Sequence, residues 1–97
     1  MKTLMQQFNE KRMNVLGDFI KTTEFRGLTG ESKEAVFYMF KDVLEHHSSL
    51  KRALATLAAY KRMGVEEKSL SLSAVAALEY AHAFMLKQYA KKFFKLA

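Results

Sequence analysis

The sequence predicts a single small all-α domain of about four helices, arranged as an irregular, orthogonal bundle. Three observations carry that prediction. Apolar residues recur at the 3.6-residue spacing of amphipathic helices. The chain contains no proline, so no residue forbids a long helix. Glycine and serine fall between the periodic segments, where helices stop and start. At 97 residues the chain forms one domain, 1–97, because two halves would each be too small to stand alone. An apolar fraction of 49% is that of an ordinary globular chain.

The first helix is expected at about 2–25, where Leu4, Phe8, Val15, Leu16, Phe19 and Ile20 follow the helical period. Gly17 inside it costs about 1 kcal/mol against alanine, a cost that close packing or a bend would explain. The turn at 26–32 carries two glycines and two N-cap residues, Thr29 and Ser32. A second helix follows at about 33–47 with the stripe Val36, Phe37, Phe40, Val43 and Leu44. Glu31 and Glu34 at its start complement the helix dipole. Ser48 or Ser49 caps a third helix at about 50–63, buried through Leu50, Ala53, Leu54, Leu57 and Ala58. Gly64 is expected as its left-handed cap, with Val65 closing a Schellman contact on Tyr60. Ser71 or Ser73 caps the last helix, at about 73–96. Its stretch 74–84 is alanine-rich and apolar nearly all round, as befits a helix central to the core.

Composition excludes several functions. Without cysteine there is no disulfide, thiol nucleophile or cysteine-bound zinc. No run of 18 apolar residues exists, and Gln6, Gln7, Asn9 and Glu10 interrupt the N-terminus too early for a secretory signal. A cytoplasmic protein is expected. The net charge of +6 favours anionic partners: nucleic acid, an acidic protein surface or an anionic membrane. The charge is uneven, however. Residues 31–47 hold four acids and two bases, whereas 87–97 hold four lysines and no acid.

Catalytic signatures are sparse. His46 and His47 are adjacent, so on a helix they point about 100° apart and do not readily chelate one metal. They suit the negative end of the second helix. Glu79 and His82 have Glu-x-x-His spacing, but a di-iron bundle needs two such motifs and two further glutamates. No phosphate-binding glycine loop or nucleophile motif occurs. The expectation is a protein that is not an enzyme and holds no cofactor or metal.

Two segments point to binding. The stretch 64–71 imitates the turn of a helix-turn-helix, with Lys61, Arg62, Lys68, Ser69 and Ser71 as DNA-contacting residues. Glu66 and Glu67 would face the phosphates there, and Tyr60 stands where a small residue is usual. The C-terminal stretch is a basic amphipathic helix. Lys87, Lys91, Lys92 and Lys95 share one arc, and Met85, Leu86, Tyr89, Ala90, Phe93 and Leu96 share the other, with Phe94 at its edge. Such a helix docks in a partner's groove, lies on an anionic membrane, or returns to its own core. Lys87, Tyr89, Lys91, Lys92, Phe93, Phe94 and Lys95 are therefore the expected partner-binding residues. The partner is a protein with an acidic or amphipathic surface, or a second copy of the chain as a homo-oligomer.

Size, basic character and helical content, with the passages TTEFRGLTGES (22–32) and EHHSSLKRAL (45–54), resemble the small cytoplasmic lysis-inhibition proteins of T-even phages, the rIII class of antiholin. The resemblance implies binding to the cytoplasmic part of a holin and delay of lysis. It carries no functional residue across. The expected function is a small regulatory protein acting by protein–protein contact, and the competing one is a DNA-binding transcriptional regulator.

Overall fold

A computed structural model describes residues 4–47 and 49–94, with the side chains of 4, 5, 7, 8, 11 and 89–94 left out of that description. The order is α1 (Leu4–Phe19), α2 (Thr23–Arg26), α3 (Gly30–His46), α4 (Leu50–Glu66) and α5 (Leu72–Phe94). This is the small all-α domain expected, as four long helices and one short one. No helix of the described residues is long and apolar enough to cross a membrane.

The predicted periodicity places most of the described core. Val15, Leu16 and Phe19 from α1 meet Val36, Phe40, Val43 and Leu44 from α3, and Leu50, Ala53 and Leu57 from α4. Phe37 and Leu54 pack at its margin. The side chains of Leu4 and Phe8 lie outside the described residues. α5 packs against all four other helices and buries Ala74, Ala77, Leu78, Ala81 and Met85. Its alanines matter geometrically, because small side chains let neighbouring helices approach a central one closely.

The expected first helix to residue 25 is divided. Thr22 takes an extended backbone, with ψ 154°, after Phe19 ends α1. Its hydroxyl donates to the Phe19 carbonyl at 2.6 Å and accepts from the Phe25 amide at 3.3 Å. One side chain thus both stops α1 and caps α2, a competition with helical hydrogen bonding that short hydroxylated residues provide. The reversal brings Phe25 back over Phe19 and buries Leu28 in the same core.

α3 begins three residues earlier than expected, at Gly30, whose φ of +54° turns the chain into the helix. Thr29 holds the cap position without a side-chain cap bond, and Ser32 is inside the helix. The Arg12 guanidinium donates to the Leu44 and Glu45 carbonyls, at 2.8 and 3.1 Å. It thereby satisfies carbonyls that the end of α3 leaves open.

α4 passes straight through Gly64 and ends at Glu66. Gly64 is therefore not a left-handed cap. That position falls to Lys68, with φ +54°. The Ser69 amide reaches the Gly64 carbonyl at 3.1 Å and the Lys68 amide the Val65 carbonyl at 3.3 Å, which is a Schellman motif four residues late. Gly64 instead supplies space, since a Cβ there would run into Leu70. Tyr60 hydrogen-bonds Asp42 on α3, and Val65 is exposed. Ala58 is exposed rather than buried, because it faces an open groove beside α5. Ser49 holds the α4 cap position without a side-chain bond, and Ser48 lies outside the described residues. Ser71, not Ser73, caps α5, its hydroxyl accepting from the Ala74 amide at 3.1 Å.

The two interior helical glycines have opposite expected responses to alanine. No heavy atom lies within 4 Å of a Cβ at Gly17, so Gly17→Ala should stabilise the fold by about 0.5–1 kcal/mol. Gly64→Ala gains the same propensity but forces Leu70 out of place, an overpacking that costs about 1–3 kcal/mol and gives a net loss. Urea denaturation of the two variants measures both signs.

Candidate functional site

The carboxylate of Asp42, on α3, collects two partners. Tyr60 of α4 donates its hydroxyl to Asp42 Oδ2 at 2.8 Å, and His46 Nδ1 lies 2.8 Å from Asp42 Oδ1. The Tyr60 hydroxyl is held above its ordinary pKa, first by this hydrogen bond, then by burial and the nearby negative charge. His46 sits one turn beyond Asp42, in the last turn of α3, and His47 follows at the cap position, half-buried. The arrangement ties α3 to α4. Neither histidine converges on a second acid or base, and no group of three or more His, Cys, Asp or Glu among the described residues is placed to hold a metal ion.

Glu79 and His82 do share a side of α5. Glu79 is exposed and takes Lys61 Nζ at 2.8 Å across the α4–α5 groove. That hydrogen bond, with the lysine's charge, holds the Glu79 carboxyl below the usual carboxylate value. His82 is half-buried in a cleft of about 150 Å³ with Leu57, Ala58 and Leu78. The pair is thus a surface ion-pair glutamate beside a packed histidine.

The α4–α5 junction separates the residues expected to contact DNA. Lys61 is engaged by Glu79. Arg62, Lys68 and Ser69 are exposed, next to the exposed Glu66 and Glu67. The Ser71 hydroxyl caps α5 and lies 2.7 Å from Ser32 Oγ and 3.2 Å from Ser73 Oγ. A recognition helix presents its first turns to the groove of a duplex. Here the first turns of α5 give Ala74, Ala77 and Leu78 to the core and leave Leu72, Ser73 and Ala76 outward.

The C-terminal segment stands differently. Met85 is the last buried residue of α5 among those whose side chains are described. Leu86, Lys87 and Gln88 follow, pointing in three directions about 100° apart, and all three are exposed. The helix nevertheless continues to Phe94. Of the expected binding residues, Lys87 is exposed at the start of this extension. The backbone of Tyr89, Lys91, Lys92, Phe93 and Phe94 belongs to α5, while their side chains, and all of Lys95, lie outside the described residues.

A further concave feature went unseen in the sequence. An open groove of about 560 Å³ runs between α4 and α5, lined by Ala58, Arg62, Val65 and Val75 with the Lys61–Glu79 pair across it. The signal was present in the spacing: 58, 61 and 65 form one side of α4, and 72, 75, 79 and 82 form one side of α5. No protein family model, curated protein or solved structure matches the chain.

Two pH responses follow. Glu79 has its pKa depressed in the folded state, so what its pairing contributes is present above the unfolded-state pKa and fades as pH falls through the folded one. Lys61→Met should return Glu79 towards the ordinary carboxylate range, as read by NMR titration of its side-chain carboxyl. Tyr60 has its pKa raised, so its contribution is complete below the unfolded-state value and fades as pH rises through the folded one. Tyr60→Phe should remove that alkaline component from the stability profile, at a cost of about 1 kcal/mol near neutral pH.

Proposed function

We propose that this chain is a non-enzymatic regulatory protein that acts by binding a protein partner, and that the C-terminal part of α5 is the binding element. The observation that carries the reading is that α5 runs on to Phe94 beyond Met85, the last buried residue among those whose side chains are described. A helix is marginal in isolation unless something packs on it. Here nine residues, 86–94, continue beyond Met85. They begin with three exposed residues, and the last eleven of the chain bring four lysines and no acid. A basic amphipathic helix of this kind fits an acidic or amphipathic groove. Its resemblance to phage lysis-inhibition proteins makes the cytoplasmic segment of a holin the first partner to try.

The DNA-binding reading draws less support. Of its residues, Lys61 is neutralised by Glu79, Ser71 caps α5, and the exposed Arg62 and Lys68 share their surface with Glu66 and Glu67.

Deleting residues 87–97 should abolish partner capture while leaving the circular dichroism and unfolding transition of the bundle in place. Capture by the full chain and by the truncated chain is compared in lysate of the source cells, with and without nuclease, and in titrations with a synthetic holin segment. Equal capture by the two chains would refute the site. Capture that disappears with nuclease, and duplex affinity that falls steeply with salt, would move the function to nucleic acid.

A further inference from the structure

The open groove of about 560 Å³ and the cleft of about 150 Å³ around His82 share Ala58, Lys61 and Glu79, so they form one channel between α4 and α5. The α4 positions of this channel, 58, 62 and 65, continue a straight stripe that begins at Lys51 and Ala55. All five residues of that stripe are exposed. Its α5 side is Val75, Glu79, His82 and Leu86, half-buried or exposed, at steps of four, three and four. The stripe from Lys51 to Val65 is about 21 Å long, the length of a helix of about 14 residues.

Charge is ordered along this groove. Lys61 and Glu79 neutralise each other across it. Lys51 and Arg62 are exposed cations, and neither has an ion-pair partner among the described residues. Between them the stripe carries only alanine. Glu66, one turn past Arg62, is an unpaired acid at the rim. Lys51 stands in the first turn of α4, which holds no acid. A cation there opposes the helix dipole, so it does not serve the helix itself.

We propose that the groove docks an amphipathic helix of a protein partner, apolar in its middle and acidic at two positions eleven residues apart, opposite Lys51 and Arg62. Eleven residues make about three turns, so both acids fall on one face of that helix, about 16 Å apart. Ala55 and Ala58 let its backbone come close, and Val65, Val75 and Leu86 offer apolar contact on either side. The same pattern disfavours other occupants. A phosphate chain is bound by closely spaced cations, and here two stand about 16 Å apart with Glu66 beside one of them. A flat bilayer does not enter a concave groove between helices. The lysine-rich end of a second copy brings the wrong sign of charge. A single helix in this groove buries less than a standard interface, so dissociation at about 1–100 µM is expected.

This surface is separate from the C-terminal binding element, since it uses no residue beyond Leu86. The test titrates the full chain, observed by NMR, with a designed helical peptide of leucine, alanine and glutamine that carries two glutamates eleven residues apart on its leucine face. Amide shifts should move along 51–65 and 75–86. A peptide with lysines in place of both glutamates should bind at least about 10-fold more weakly. Lys51→Glu and Arg62→Glu should each weaken the glutamate peptide about 10-fold. Glutamate in the first turn suits the dipole of α4, so Lys51→Glu keeps its fold, which circular dichroism checks. A peptide with one glutamate exchanged for lysine should restore binding to Lys51→Glu. Absence of binding up to about 1 mM peptide overturns the proposal. So do equal affinity for the lysine peptide, unchanged affinity in both charge reversals, and shifts confined to other parts of the chain. A DNA duplex that moves the same amides and displaces the peptide also overturns it, and assigns the groove to nucleic acid.

Discussion

The burial of Phe19 is the contact on which the rest of the bundle depends. Its ring is fully buried and lies 4.7 Å, centroid to centroid, from Phe40 in an edge-to-face arrangement. Phe25, Phe84 and Tyr80 surround it at 5.5, 5.9 and 6.2 Å. One side chain therefore joins α1, α2, α3 and α5. Aromatic pairs of this geometry add about 0.5–1.5 kcal/mol each beyond the area they bury. The Thr22 break immediately after Phe19 serves the same centre, because only a reversed chain brings Phe25 back onto the ring.

α5 turns that core into a surface. Its inner alanines let α1, α3 and α4 close around it, and the same composition leaves a nearly uncharged outer face. Beyond Met85 the described side chains, Leu86, Lys87 and Gln88, are exposed, and the sequence becomes basic. One helix thus combines a core face, an exposed outer face and a lysine-rich end.

The helix positions were legible in the apolar spacing because a 3.6-residue period is a property of the chain itself. Val36, Phe40, Val43 and Leu44 could be placed in the core from sequence for that reason. The errors share a different cause. The break at Thr22 depends on a hydroxyl choosing the Phe19 carbonyl and the Phe25 amide over water, which pays off only when Phe25 has a core to enter. Gly64 has the sequence signature of a helix cap, yet it is a helical residue cleared for Leu70. The Lys61–Glu79 pair links residues 18 apart in the chain: the spacing along α4 and α5 marks the two sides of the groove, but only the packing of the two helices brings those sides together.

The sequence by itself determined an all-α chain, the faces of its helices, the absence of thiol chemistry and the concentration of lysine at one end. These follow from residue type and periodicity, which act locally. Only the tertiary structure decided which apolar face of α5 would be covered. Both faces have the composition of a core, and the four remaining helices bring enough apolar surface to enclose one of them.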